Sequence, residues 1–269
     1  MCRMLGLMCN DEDLLECAIQ DVNESLRLAR DDRHDGVGVG YYSGDDPLLR
    51  KRPSDLLSQI DFRELVEGIR SNVLLVHVRR GTVGAWKDAN THPFRFRRWL
   101  FAHVGTLSGL DEHREEILRA LPPFLARNVR GETESELAFH RLLDELFKDG
   151  KLNDLELPAG SLADYLLKLV AFADEHRADK KESTFAMLAT NGQVMAAVCR
   201  GIPMHYSHRE GIQSCKHVDC DEESKEAHLR FKGIMLGADM SDPGHQWREV
   251  ADSSVLTVSH DLELKVRSF

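Results

Sequence analysis

Met1-Cys2-Arg3-Met4-Leu5-Gly6 opens the chain, and the cysteine at its second position decides how the rest is read. Removal of Met1 would leave a thiol and a free α-amino group on one residue. Methionine-removing enzymes tolerate small side chains at position two, and cysteine is small. An α-amino group titrates near ~8, well below the ~10.4 of lysine, so it accepts a proton near neutral pH without a histidine. Cys2 therefore combines a candidate nucleophile with its own general base. An isolated N-terminal cysteine says little, so the remaining chain has to supply the other parts of a site.

The 269 residues are enough to bury a large core. With 42% hydrophobic and 30% charged residues the balance is that of an ordinary globular protein. A net charge of -10 argues against a nucleic-acid partner, because phosphate binding needs a basic surface. No apolar run reaches transmembrane length, and Asn10-Asp11-Glu12-Asp13 interrupts the leading apolar stretch. No membrane partner is expected, and a cytoplasmic location is the default. Cys2, Cys9, Cys17, Cys199, Cys215 and Cys220 are scattered and should be thiols in a reducing compartment. Cys215-Lys216-His217-Val218-Asp219-Cys220, with His228 beyond, has a spacing that matches no common zinc module. Two thiols and a nearby imidazole could begin a zinc site, but the cluster reads as a surface loop or hairpin, and neither a metal nor a cofactor is expected.

Leu14, Leu15, Ala18, Ile19, Val22, Leu26 and Ala29 recur at helical steps and predict a helix over about 11–30. Gly36-Val37-Gly38-Val39-Gly40-Tyr41-Tyr42 reads as a glycine-rich strand that lacks the Lys-Ser/Thr ending of a phosphate loop. Val73–Val78 and Trp99–Val104 read as buried strands. A helix over about 111–121 stops at Pro122-Pro123. Thr133-Glu134-Ser135-Glu136 has the pattern of a capping box opening a helix, and Ser161 is the expected cap of the next. Phe185–Leu188, Val194–Val198, Ile234–Leu236 and Val255–Val258 read as strands, with Asn191-Gly192 as a hairpin turn and 219–225 as an acidic exposed loop. Strands, two central helices and strands again, with no repeat and no clear linker, predict a single domain over 1–269 with sheets and helices in separate layers.

Four segments stand out together: Cys2-Arg3; His77-Val78-Arg79-Arg80-Gly81-Thr82-Val83-Gly84; Phe101-Ala102-His103-Val104-Gly105; and Gly131-Glu132-Thr133-Glu134-Ser135-Glu136. In this order they resemble the class II glutamine amidotransferases, and in particular their small stand-alone members, such as the γ-glutamyl hydrolases of the ergothioneine pathway. His34-Asp35-Gly36-Val37-Gly38 also looks like a family segment, with Val37 where a tryptophan is usual. The resemblance implies an α+β fold of the N-terminal-nucleophile type, a four-layer αββα sandwich with two mostly antiparallel sheets between helix layers.

The resemblance also implies a glutaminase. Cys2 would attack the γ-amide of glutamine or of a γ-glutamyl compound, forming a thioester that water cleaves, with ammonia released or handed to an ammonia-accepting partner enzyme. Arg79 would bind the substrate α-carboxylate through its planar guanidinium, and Thr82 would add a hydroxyl. Glu134 stands where an aspartate usually holds the α-ammonium, and is one methylene longer. Gly105 would offer its N–H to the oxyanion. His77, His92 and His103 are read as structural. The pattern breaks at Val104: an asparagine is usual there and supplies a second oxyanion donor, and loss of one such donor costs about 10²–10³ in rate. Two functional readings stay open, an active hydrolase with an atypical oxyanion hole and an inactive relative that binds a γ-glutamyl ligand or a partner protein.

Overall fold

The computed structural model describes residues 2–20, 22, 36–53, 62–80, 85, 87–177, 182–212, 215 and 222–269. Strands β1 (Arg3–Cys9), β2 (Gly36–Ser43), β3 (Asp46–Pro53), β4 (Val73–Arg79), β9 (Met204–Glu210), β10 (Lys232–Ala238) and β11 (Arg248–Glu249) form one sheet in the order β11-β9-β10-β1-β4-β2-β3. Strands β5 (Phe94–Phe96), β6 (Trp99–Thr106), β7 (Thr184–Thr190), β8 (Met195–Arg200), β12 (Ser254–Val258) and β13 (Leu264–Ser268) form the other, in the order β13-β12-β8-β7-β6-β5. Neighbouring strands run antiparallel throughout both sheets.

The period of two along each strand separates three cores. In β1, Leu5, Leu7 and Cys9 pack outward with the helices α1 (Leu15–Ala18) and α2 (Phe62–Val66), while Met4 and Met8 face the other sheet. In β6, Trp99 and Phe101 pack outward against α5 (Glu134–Lys148) and α6 (Ala159–Glu175), joined by α3 (Arg114–Ala120) and α4 (Pro123–Ala126). Leu100, Ala102 and Val104 face inward, against Ala186, Leu188 and Leu236. The layers are thus helix, sheet, sheet, helix, as the αββα expectation requires. The glycines of β2 have a steric purpose: a Cβ at Gly38 would collide with the His92 carbonyl oxygen, so the bare strand lets the His92–Pro93 segment lie against the sheet.

Several expectations change. In the described part of the helix predicted over 11–30, a 3-10 turn at Glu12–Leu14 is followed by the short α1; residues 21 and 23–30, with Leu26 and Ala29, lie outside the described residues. Thr133 is the N-cap of α5, but its hydroxyl makes no cap bond. The Glu136 carboxylate instead accepts from the Arg130 and Gly131 N–H groups at 2.9 and 2.6 Å, so it tethers the preceding loop rather than closing a capping box. Pro158, not Ser161, caps α6, since its fixed backbone angle suits the entry to a first turn. The acidic loop expected over 219–225 contains the start of a helix, α7 (Glu222–Arg230), because Glu, Lys and Ala favour helix whatever their charge. Among the described residues no helix is long and apolar enough to cross a membrane.

Candidate active site

Register brings the first two candidate residues together. In the β1–β4 pair, Arg3 lies opposite Val78 and Met4 opposite His77. Continuing that register by one residue sets Cys2 opposite Arg79, and strand alternation turns both toward the inter-sheet gap. Cys2 packs against the inter-sheet core. Its Sγ accepts the Arg80 N–H at 3.2 Å and donates to the Arg80 carbonyl at 3.4 Å. Burial pushes the Cys2 thiol up; the Arg80 N–H, the positive chain terminus and Arg79 act against that rise. At rest the sulfur therefore keeps its proton. Arg79 is buried, and its Nη1 donates to the Ala85 carbonyl at 3.4 Å. Thr82 lies outside the described residues.

The end of β6 provides the next part. Gly105 has φ 115°, and a Cβ there would collide with the Thr184 carbonyl oxygen, so the position accepts glycine alone. Val104, only 1% exposed, points into the inter-sheet core against which Cys2 also packs. A side chain at 104 and the sulfur at 2 therefore share one apolar cluster.

Glu134 opens α5, where the helix dipole favours a carboxylate. Its Oε1 accepts the Leu107 N–H at 3.0 Å, which ties the helix start to the chain leaving β6. Its carboxyl also hydrogen-bonds to Asp111. Burial, then repulsion from Asp111 and the hydrogen bond with it, raise Glu134 to about 7 against the pull of the Leu107 N–H. Asp111 is itself raised, chiefly by burial. A carboxyl raised in this way ionises more readily when a cation arrives.

His77, His92 and His103 sit behind these groups. His77 Nε2 donates to the His103 carbonyl at 3.1 Å, His103 Nδ1 meets the Ser135 hydroxyl at 2.8 Å, and the His77 and His92 rings lie 4.2 Å apart. Burial holds His77 and His103 down at about 3 and His92 well below its usual range, so all three are neutral struts. This agrees with their structural reading. Sequence reasoning missed three contributors. The Arg80 backbone holds the Cys2 sulfur, Asp111 partners Glu134, and Asp239 follows the strand that pairs with β1, since Ala238 lies opposite Met4. Burial raises the Asp239 carboxyl, and the chain terminus and Arg3 oppose that. A residue so far along the chain, just past β10, carries no local signal of its nearness to the chain terminus.

A sequence profile described as "Glutamine amidotransferases class-II" matches residues 1–225. A probable glutamine amidotransferase of Saccharomyces cerevisiae, DUG3, is 25% identical over 88% of this chain and 74% of its own length. A γ-glutamyl-hercynylcysteine sulfoxide hydrolase of Mycobacterium tuberculosis is 31% identical over 40% of this chain and 50% of its own length. In fold, a class-II domain protein from Silicibacter pomeroyi superposes with a TM-score of 0.61 at 20% identity, covering 99% of each chain. The glutamine phosphoribosylpyrophosphate amidotransferase of B. subtilis superposes with a TM-score of 0.58 at 13% identity, covering 99% of this chain and 49% of that one.

Proposed function

The chain belongs to the class II glutamine amidotransferases, and from that premise we propose that it hydrolyses the γ-amide of glutamine or of a γ-glutamyl compound through a Cys2 thioester. The observation that carries this reading is the juxtaposition of Cys2 and Arg79 across neighbouring strands on the inter-sheet side. A neutral thiol needs a base at the moment of attack, and the α-amine of a trimmed Cys2 is that base. The amine takes the Sγ proton as sulfur bonds to the amide carbon, and the oxyanion forms toward the Gly105 N–H. The same proton passes to the departing nitrogen, which leaves as ammonia. Water then attacks the thioester, returning a proton to sulfur and freeing a γ-carboxylate. Ammonia leaves to solvent or to an acceptor enzyme.

A glutamine-mimicking diazo-ketone tests the nucleophile. Protein whose Met1 is shown by intact mass to be absent should acquire one adduct, mapped to Cys2; an unmodified Cys2 would overturn the proposal. The inactive-binder reading draws on Val104 and would give ligand binding with no adduct.

Arg79 and Glu134 would hold the two ends of the amino-acid moiety. Arg79→Lys keeps the charge but loses the planar fork, so KM should rise by about tenfold or more with little change in kcat. A KM equal to that of the native protein would remove Arg79 from substrate binding. Glu134 gives a pH signature. Its carboxyl titrates at about 7, and a substrate ammonium needs the ionised form. Binding should therefore release a proton below that value, and affinity should weaken as pH falls from 7 to 5.5, by up to about tenfold per unit. Calorimetry in two buffers of different ionisation enthalpy measures the released proton. Glu134→Gln should flatten the profile, and a flat profile in the native protein would contradict the assignment.

A further inference from the structure

Away from Cys2, we infer that Cys17, Cys215 and His228 form a zinc-binding site. Their donor atoms all lie within 4.8 Å of one another. Cys17 belongs to α1, Cys215 to the segment after β9, and His228 to α7. Cys17, near the start of the chain, thus joins Cys215 and His228, some two hundred residues later, to bring two sulfurs and an imidazole nitrogen together. Cys17 and His228 are buried and Cys215 is half-buried. Both cysteines are thiols here, not a disulfide.

Metal chemistry accounts for this convergence. Zinc binds thiolate at ~2.3 Å and imidazole at ~2.0–2.1 Å, so tetrahedral donors sit roughly 3.5–3.8 Å apart. The observed spread, within 4.8 Å, is about an ångström wider than that geometry at most. Two soft sulfurs with one nitrogen select zinc over magnesium or calcium, which take oxygen donors. Binding would release one proton from each thiol to solvent, and a fourth position remains for water or a further donor. Cys17 also lines an open cleft of 780 Å³, beside His208, Phe231 and His245, which gives an ion a route in.

Such a site would clamp α1, which follows the far end of the nucleophile's strand, to α7 and the chain leaving β9. Sequence spacing alone could not reveal it. The local pattern grouped Cys215 with His228 and with Cys220, which lies outside the described residues, whereas the remaining donor, Cys17, comes from the first twenty residues.

Metal content by mass spectrometry and cobalt substitution test the site. Reduced, tag-free protein purified without chelator should carry one zinc per chain. With cobalt in its place, the protein should show tetrahedral d–d absorption and thiolate-to-cobalt charge transfer. Cys17→Ser with Cys215→Ser should abolish both. His228→Cys should keep the metal and strengthen the charge-transfer band, a result that a purely packing role for His228 would not give. Chelation should lower the melting temperature of the native protein and leave the double variant unchanged. Reduced native protein that takes up neither zinc nor cobalt would overturn the inference. So would a Cys17–Cys215 disulfide found in the purified protein, or full metal retention by the double variant.

Discussion

Cys2→Ala should lower glutamine hydrolysis by about 10⁴-fold or more, and protein that retains Met1 should lose as much. The two changes remove different atoms. Alanine deletes the sulfur and leaves the α-amine; a retained methionine leaves the sulfur and converts the amine into a peptide nitrogen that cannot accept a proton. If nucleophile and base act as one unit, either loss disables the same step, and combining them should cost little more than one alone. The resting thiol makes the argument sharper. Burial raises its pKa, and its proton already points to the Arg80 carbonyl, so no standing thiolate exists to attack unaided. Ammonia release, measured on preparations whose N-termini are fixed by intact mass, decides the matter. Hydrolysis by the Met1-retaining form at the rate of the trimmed form would show that another group is the base.

Legibility in the sequence followed chemistry that is local. Short apolar runs at Val73–Val78 and Trp99–Val104 made β4 and β6 readable, because a strand buried on both faces needs a near-continuous apolar run. Asn191-Gly192 marked the β7–β8 hairpin because only a residue tolerant of positive φ fits there, and Gly192 has φ 90°. Cys2, Arg79, Gly105 and Glu134 drew notice because each stands at or near an element end, where a motif surrounds it. What stayed hidden depends on partners distant in sequence. Asp111 looks like an ordinary helix-entry acid until Glu134 is placed beside it. Glu136 looks like half of a capping box until Arg130 and Gly131 offer closer N–H groups. Cys17 looks like an apolar position of a helix until Cys215 and His228 arrive from the other end of the chain. In each case the deciding energy is a contact across the fold, which no window of sequence contains.

Val104→Asn should raise kcat by about 10²-fold while lowering the melting temperature, and the opposed signs identify the cause. Val104 is 1% exposed and faces the inter-sheet cluster that also receives Cys2, so an amide of similar volume would lie on the nucleophile's side of β6. In the free protein that amide has few partners, and a buried polar group without a hydrogen bond costs about 1–3 kcal/mol. For a chain of this size that is a fall of several degrees. In the tetrahedral intermediate the same N–H finds the oxyanion beside the Gly105 N–H, and an interaction made only there lowers the barrier rather than KM. Stability would thus fall for the reason that turnover rises: the donor is unsatisfied until the reaction supplies its acceptor. A variant that melts earlier and turns over no faster would show that Val104 is not what limits the oxyanion hole, and that a donor other than a side chain at 104 already completes it.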